Sequence, residues 1–187
     1  LNGLLSLWDR DYTLINRANS ALASFGNVKS WSSEEEMNRL IGETYFLRAL
    51  AYNELVQIFG GVPLRTNTET VNLPRASVEE VYTVIESDLL QAISLMPDKI
   101  YTAGSPMTGH ATKYAAEAML ARVFLFYTGR YGKDTLPGGT TKAEVVKHLE
   151  DCINNSGHDL VKDQREIWGY TTRRSTATIP ATGTSTR

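Results

Sequence analysis

The segment ELVQIFGGVPL, residues 54–64, decides how the chain is read. Leu55, Val56, Ile58 and Phe59 follow a helical apolar pattern, which two glycines and then Pro63 interrupt. A glycine at that point supplies the positive φ of a helix C-cap, so Gly60 or Gly61 is expected to hold it. Proline lacks the backbone N–H and clashes with the preceding turn, so Pro63 keeps the helix from resuming. A solvent loop would turn polar here, yet Val62 and Leu64 remain apolar. The chain is therefore expected to press back onto a core once the helix has stopped.

Working outward, the stripe feeding this turn runs back through Leu55, Tyr52, Ala51, Leu47, Tyr45, Ile41, Leu40 and Met37 to SSEEE. Both Ser32 with Glu35 and Ser33 with Glu36 have capping-box spacing, in which side chains satisfy the first orphaned amides. An earlier helix over 2–24 places Leu5, Trp8, Tyr12, Ile15, Ala18 and Leu22 at three- and four-residue steps and closes at Phe25-Gly26-Asn27. A third starts at Ser77, with Glu80 completing a capping box, and stops at Pro97. The fourth, near 111–128, is apolar on most faces and rich in alanine, which places it in the middle of a bundle. The fifth runs from Thr141, paired with Glu144, to Asn155-Ser156-Gly157. No segment alternates as a strand does. The fold class is all-α.

The connections 60–76 and 98–110 are long, a length that implies function or packing. Helices four and five, with the Gly/Tyr loop 129–139 between them, read as one helical-hairpin repeat of tetratricopeptide type.

With 42% hydrophobic residues, 21% charged residues and a net charge of −2, the 187-residue chain can build a core but carries no basic footprint for nucleic acid. No apolar run approaches the roughly 20 residues of a membrane span. Cys152 stands alone, within a helical pattern, as a small buried hydrophobe. His110, His148 and His158 share no metal-ligand spacing, and no nucleophile motif accompanies His158-Asp159. Neither Gly60-Gly61 nor Gly138-Gly139 has the context of a phosphate loop. No catalytic residue, metal site or cofactor is expected.

Aromatic residues are the remaining candidates, with nine tyrosines and three tryptophans. Trp8, Tyr12, Tyr45, Tyr52 and Tyr114 sit on helical stripes and read as core. Tyr101, Tyr131, Trp168 and Tyr170 fall in or beside loops, where a flat ring with a polar rim can hold a hydroxyl-rich ligand. Trp168 and Tyr170 are the ligand-binding candidates, because they cluster where the helices give way to loops.

Four stretches in order, YTLINRANSAL (12–22), GETYFLRALAYNELVQIFGGVPL (42–64), LPRASVEEVYTVIESDLLQAISLMP (73–97) and TGHATKYAAEAMLARVFLFYTGRY (108–131), resemble the SusD/RagB family of Bacteroidetes outer-membrane lipoproteins. The resemblance covers roughly residues 8–170. It implies a tetratricopeptide-like helical scaffold with long loops, in which FGGVPL ends one helix and Arg17, Asn19 and Arg48 organise helix ends and inter-helix contacts. It also implies a non-catalytic glycan- or nutrient-binding subunit, exposed at the outer-membrane surface, whose partners are an oligosaccharide and a SusC-like TonB-dependent transporter. A general helical-repeat module for peptides or proteins is the other reading. Family members are usually much longer and carry a signal peptide and a lipid-bearing cysteine. Residues 1–170 are accordingly expected to be a partial scaffold domain whose lipid anchor lies outside this chain. Residues 171–187 are expected to be a Thr/Ser-rich tail or the truncated start of a loop-rich C-terminal half.

Overall fold

Five α-helices account for the regular structure: α1 (Asn2–Phe25), α2 (Glu34–Phe59), α3 (Val78–Leu95), α4 (Lys113–Tyr131) and α5 (Lys142–Asn155). The computed structural model describes residues 2–101 and 104–160. Among these residues there is no strand, and the sole β-type pairing is a bridge between Thr135 and Thr141. The main contacts run from each helix to the next in sequence, the arrangement of stacked helical hairpins. This compact unit extends to Gly157.

The caps explain where the helices begin. Ser77 accepts from the Glu80 N–H at 3.1 Å while the Glu80 carboxylate accepts from the Ser77 N–H at 2.7 Å. Thr141 and Glu144 close the same reciprocal box. At α2 the sequence offered two registers, and Ser33 is the cap, accepting from the Glu36 N–H at 3.0 Å. There the box stays open, because the Glu36 carboxylate accepts from the Ser32 hydroxyl instead. Thr112 caps α4 through the Ala115 N–H.

Two helix ends and the burial of one helix differ from what was expected. The end of α1 has no left-handed glycine: Gly26 does not adopt a positive φ, and Asn27 and Val28 bond three residues back to Ser24 and Phe25 in a tight turn. α4 continues to Tyr131 and is capped by left-handed Gly132, so Tyr131 belongs to its last turn. There it ends a stack with Tyr127, 5.1 Å away, and Tyr82, 4.8 Å from Tyr127. α4 lies between α3 and α5, but its outer face is not enclosed, since Leu125 is 69% exposed.

The deepest core belongs to α2 and α3, where Ala49, Tyr52, Leu55, Val81, Tyr82, Ile85 and Leu89 are fully buried. Ile15 joins them from α1, and Leu120 and Val123 from α4. Each large apolar side chain buried this way contributes about 1.5–3 kcal/mol. α1 is anchored lightly at its start, where Leu5 is exposed.

Gly60 and Gly61 perform different tasks in the FGGVPL turn. Gly60 has φ +71° and donates its N–H to Val56, ending α2. At Gly61, a Cβ would stand 2.0 Å from the Ala76 carbonyl oxygen, so that backbone can approach only because no side chain is present. Val62 follows, fully buried, and its carbonyl accepts from the Ala76 N–H. The turn thus lays the chain onto the core, as its apolar residues demand.

Candidate functional site

Beyond Val62 the chain is held by polar groups of α1 and α2, with α3 contributing through Asp88 behind Arg48. Tyr12 donates to the Pro63 carbonyl at 2.7 Å. Tyr52 donates to the Arg65 carbonyl at 2.8 Å and accepts the Arg65 N–H at 2.7 Å. Asn19 donates to the carbonyls of Arg65 and Asn67 at 2.9 and 3.0 Å. Burial pushes the Tyr52 phenol up to about 12, and burial raises Tyr12 also, so both remain protonated donors at neutral pH.

Arg48 sits at the centre of this network. Its guanidinium grips Asp88 with two bonds of 2.7 Å, donates to the Asn19 side-chain carbonyl at 2.7 Å, and reaches the Thr66 carbonyl at 3.4 Å. Arg48, Asp88 and Asn19 are all buried. Burial pushes the Asp88 carboxyl above its usual range, against the pull of the Arg48 bonds and charge. A buried charge of this kind is tolerable when it is paired and hydrogen-bonded on every side.

Residues 65–71 then curl into an arc. The Arg65 guanidinium donates to the carbonyls of Glu69 and Val71 at 3.1 and 2.8 Å, and the Asn67 side chain accepts from the Glu69 N–H at 3.0 Å. Between this arc and α1 lies a cleft of about 550 Å³. Trp8, Tyr12 and Pro63 form its apolar part, and Asn16, Arg65, Glu69, Thr70 and Asn72 supply the polar rim. The Trp8 and Tyr12 rings lie 4.8 Å apart at 44°, and Phe59 meets the Trp8 ring nearly edge-on at 5.0 Å. Such a surface offers a braced flat face and hydrogen-bonding groups, which is the chemistry of holding a ligand.

The comparisons with known proteins bear on what this scaffold is. The profile of the SusD-like family described as "starch-binding associating with outer membrane" matches residues 3–125. The chain belongs to the SusD-like family. A SusD-like protein of Bacteroides ovatus is 27% identical over 172 residues, covering 89% of this chain and 30% of that protein. A solved structure of a laminarin-binding SusD-like protein has a TM-score of 0.72 at 29% identity, covering 88% of this chain and 34% of the other. A crystal structure with a xylogluco-oligosaccharide has a TM-score of 0.71 at 26% identity, covering 91% and 33%. The chain spans about a third or less of the length of these relatives.

The SusD-like motifs supply both the network that holds the arc and, through Tyr12, Asn16 and Pro63, part of the cleft lining. Asn19 and Arg48 join helices to the arc as the resemblance implied, whereas Arg17 is exposed. Trp168 and Tyr170 lie outside the described residues. Trp8 and Tyr12, read from their stripe as core, are only half-buried and border the cleft. Their signal in the sequence was Asn16, which continues the i, i+4, i+8 line of Trp8 and Tyr12 with an amide.

A second polar cluster lies between α4 and α5. Glu117 is 1% exposed, with one carboxylate oxygen 3.2 Å from His148 Nδ1 and the other without a hydrogen-bond partner among the described residues. Lys113 bonds Asp98 and Asp151 at 2.7 and 2.8 Å and stands 3.9 Å from Glu117. Burial, followed by the nearby Asp151 charge, raises the Glu117 pKa to about 7. His110 pairs elsewhere, with Glu43 at 2.9 Å. These pairs fasten one helix or loop to the next.

Proposed function

We propose that this chain is the helical scaffold part of a non-catalytic, cell-surface glycan-binding subunit that serves a SusC-like TonB-dependent transporter. In this reading the subunit captures an oligosaccharide at the outer membrane and delivers it to the transporter, without a covalent step or a cofactor. The family match over residues 3–125 carries the proposal. It is supported by the likeness to a laminarin-binding SusD-like protein and to a structure solved with a xylogluco-oligosaccharide.

Residues 1–170 are assigned to the helical scaffold part, and residues 171–187 to a Thr/Ser-rich tail or to the start of the loop-rich part. Trp168 and Tyr170 stack on sugar rings at that junction. The physical basis is general: an aromatic face covers the apolar face of a sugar ring while neighbouring polar groups bond its hydroxyls.

The test is to tag the protein carrying this chain in its native cells, label the intact cell surface, and isolate what accompanies it. Surface labelling together with a co-isolated outer-membrane barrel protein is the expected result. A protein that escapes the surface label and brings down no barrel refutes the reading.

A further inference from the structure

The chemistry of the cleft between α1 and the arc selects a class of ligand. Trp8 packs against Phe59, nearly perpendicular at 5.0 Å, and against Tyr12, tilted at 4.8 Å, so a ligand resting on it meets a preorganised surface. Tyr12 is locked in turn, since its hydroxyl is committed to the Pro63 carbonyl. Trp8 is half-buried, and its indole N–H forms no hydrogen bond among the described residues. A donor therefore stands at the edge of the flat face.

The rim is polar but carries balanced charge. Arg65 and Glu69 offset one another, and the Arg65 guanidinium already serves the carbonyls of Glu69 and Val71. A phosphate, sulfate or carboxylate ligand would want that guanidinium uncommitted and unopposed. What remains for a ligand is the Glu69 carboxylate and the side chains of Asn16, Thr70 and Asn72, all exposed, which offer carboxylate, amide and hydroxyl groups to sugar hydroxyls. The volume of about 550 Å³ lies within the range of small-ligand clefts. The arc bearing half of the rim is fixed by the buried Arg48, Asn19 and Tyr52 network, so the rim is held relative to the ring platform.

We infer that this cleft is a separate sugar subsite, in which a neutral pyranose ring of an oligosaccharide stacks on Trp8 and hydrogen-bonds to Asn16 and Asn72. The inference rests on the glycan-binding reading and adds to it a location within the scaffold, on α1 and the arc. Because the motif-bearing helices hold the arc in place, the subsite is built from the scaffold itself.

The experiment uses the chain with its indole nitrogens labelled, followed by NMR during titration with laminari-oligosaccharide and with xylogluco-oligosaccharide. Trp8, Trp31 and Trp168 give separate indole signals, and Trp8→Phe identifies the first. The expected result is a saturable shift of the Trp8 signal with a neutral oligosaccharide, while Trp31 stays still. Asn72→Ala, at an exposed position, should weaken that shift about tenfold in affinity without changing the melting temperature. Binding that moves the Trp168 signal and leaves Trp8 silent overturns the subsite and leaves the glycan-binding reading intact. A Trp8 shift that Asn72→Ala and Asn16→Ala leave unchanged also overturns it. No binding of any neutral oligosaccharide by the folded chain overturns the subsite, and calorimetry on the protein carrying the chain then decides the broader reading separately.

Discussion

Replacing Arg48 with methionine keeps most of the side-chain volume and removes the one cation that Asp88 touches in the buried network. Asp88 is 2% exposed and takes two 2.7 Å bonds from Arg48. Breaking such a pair by deleting one partner costs about 3–5 kcal/mol, a large share of the total stability of about 5–15 kcal/mol of an ordinary domain. Asn19 and Thr66 also lose their guanidinium donor, so the arc loosens along with the helix pair. With a urea m-value of about 2 kcal/mol/M, the unfolding midpoint should fall by about 1.5–2.5 M. Hydrogen exchange should quicken at Arg65, whose amide is held by Tyr52 next to the network. Adding Asp88→Leu should recover about 1–4 kcal/mol, because an apolar pair removes the stranded charge. A midpoint shift below about 0.5 M for Arg48→Met, or a double variant no better than the single, would refute the claim that this pair anchors the arc.

Three further outcomes follow from other parts of the fold. Gly61→Ala should destabilise the chain more than Gly60→Ala, because its Cβ would meet a backbone oxygen at 2.0 Å whereas Gly60 faces mainly a backbone-strain penalty of about 1–3 kcal/mol; thermal melts that rank them the other way contradict the assignment. Glu86, which is buried, accepts from the Gly138 and Thr140 N–H groups at 2.6 and 2.8 Å, so Glu86→Ala should cost at least about 1.5–3 kcal/mol and expose both amides to rapid exchange. Glu117 holds its proton more tightly when folded, so between pH 4.5 and about 7 its burial lowers stability as pH rises. His148, whose Nδ1 lies 3.2 Å from the Glu117 carboxylate, acts oppositely: burial lowers its pKa, so its contribution to stability grows as pH rises toward 6.5. Glu117→Gln should therefore tilt the stability profile upward with pH across that window, and a profile unchanged from the parent chain would show that Glu117 titrates normally.

Much of the fold was legible because it depends on local chemistry. Ser77 with Glu80 and Thr141 with Glu144 are three residues apart, and the structure forms both boxes as spaced. The Gly-Gly-Val-Pro turn combined a stop signal with apolar residues, which left the chain little choice but to return to the core. At Gly26 the same logic failed, since three-residue bonds to Ser24 and Phe25 can end a helix without a left-handed residue.

The cleft was less legible because it depends on pairs distant in sequence. Asn19 meets Arg65, Arg48 meets Asp88, and Tyr12 meets Pro63 only after the helices have packed. Periodicity correctly placed Trp8 and Tyr12 on the inward stripe of α1. It could not show that the partner over that stretch is an arc with a gap beneath it rather than another helix. The outer face of α4 departs from expectation for a related reason. Its alanines and large apolar residues are spread around the whole helix, as they are in a central helix, and that spread does not reveal that Leu125 faces outward.

The most direct test of the account is titration calorimetry of the protein carrying this chain with laminarin-derived and xyloglucan-derived oligosaccharides, alongside an anionic oligosaccharide. The account predicts saturable binding of at least one neutral glycan, weakened by substitution of the ring-stacking aromatics and not replaced by the anionic control. A folded protein that binds no neutral glycan, or binds the anionic one in preference, would contradict it.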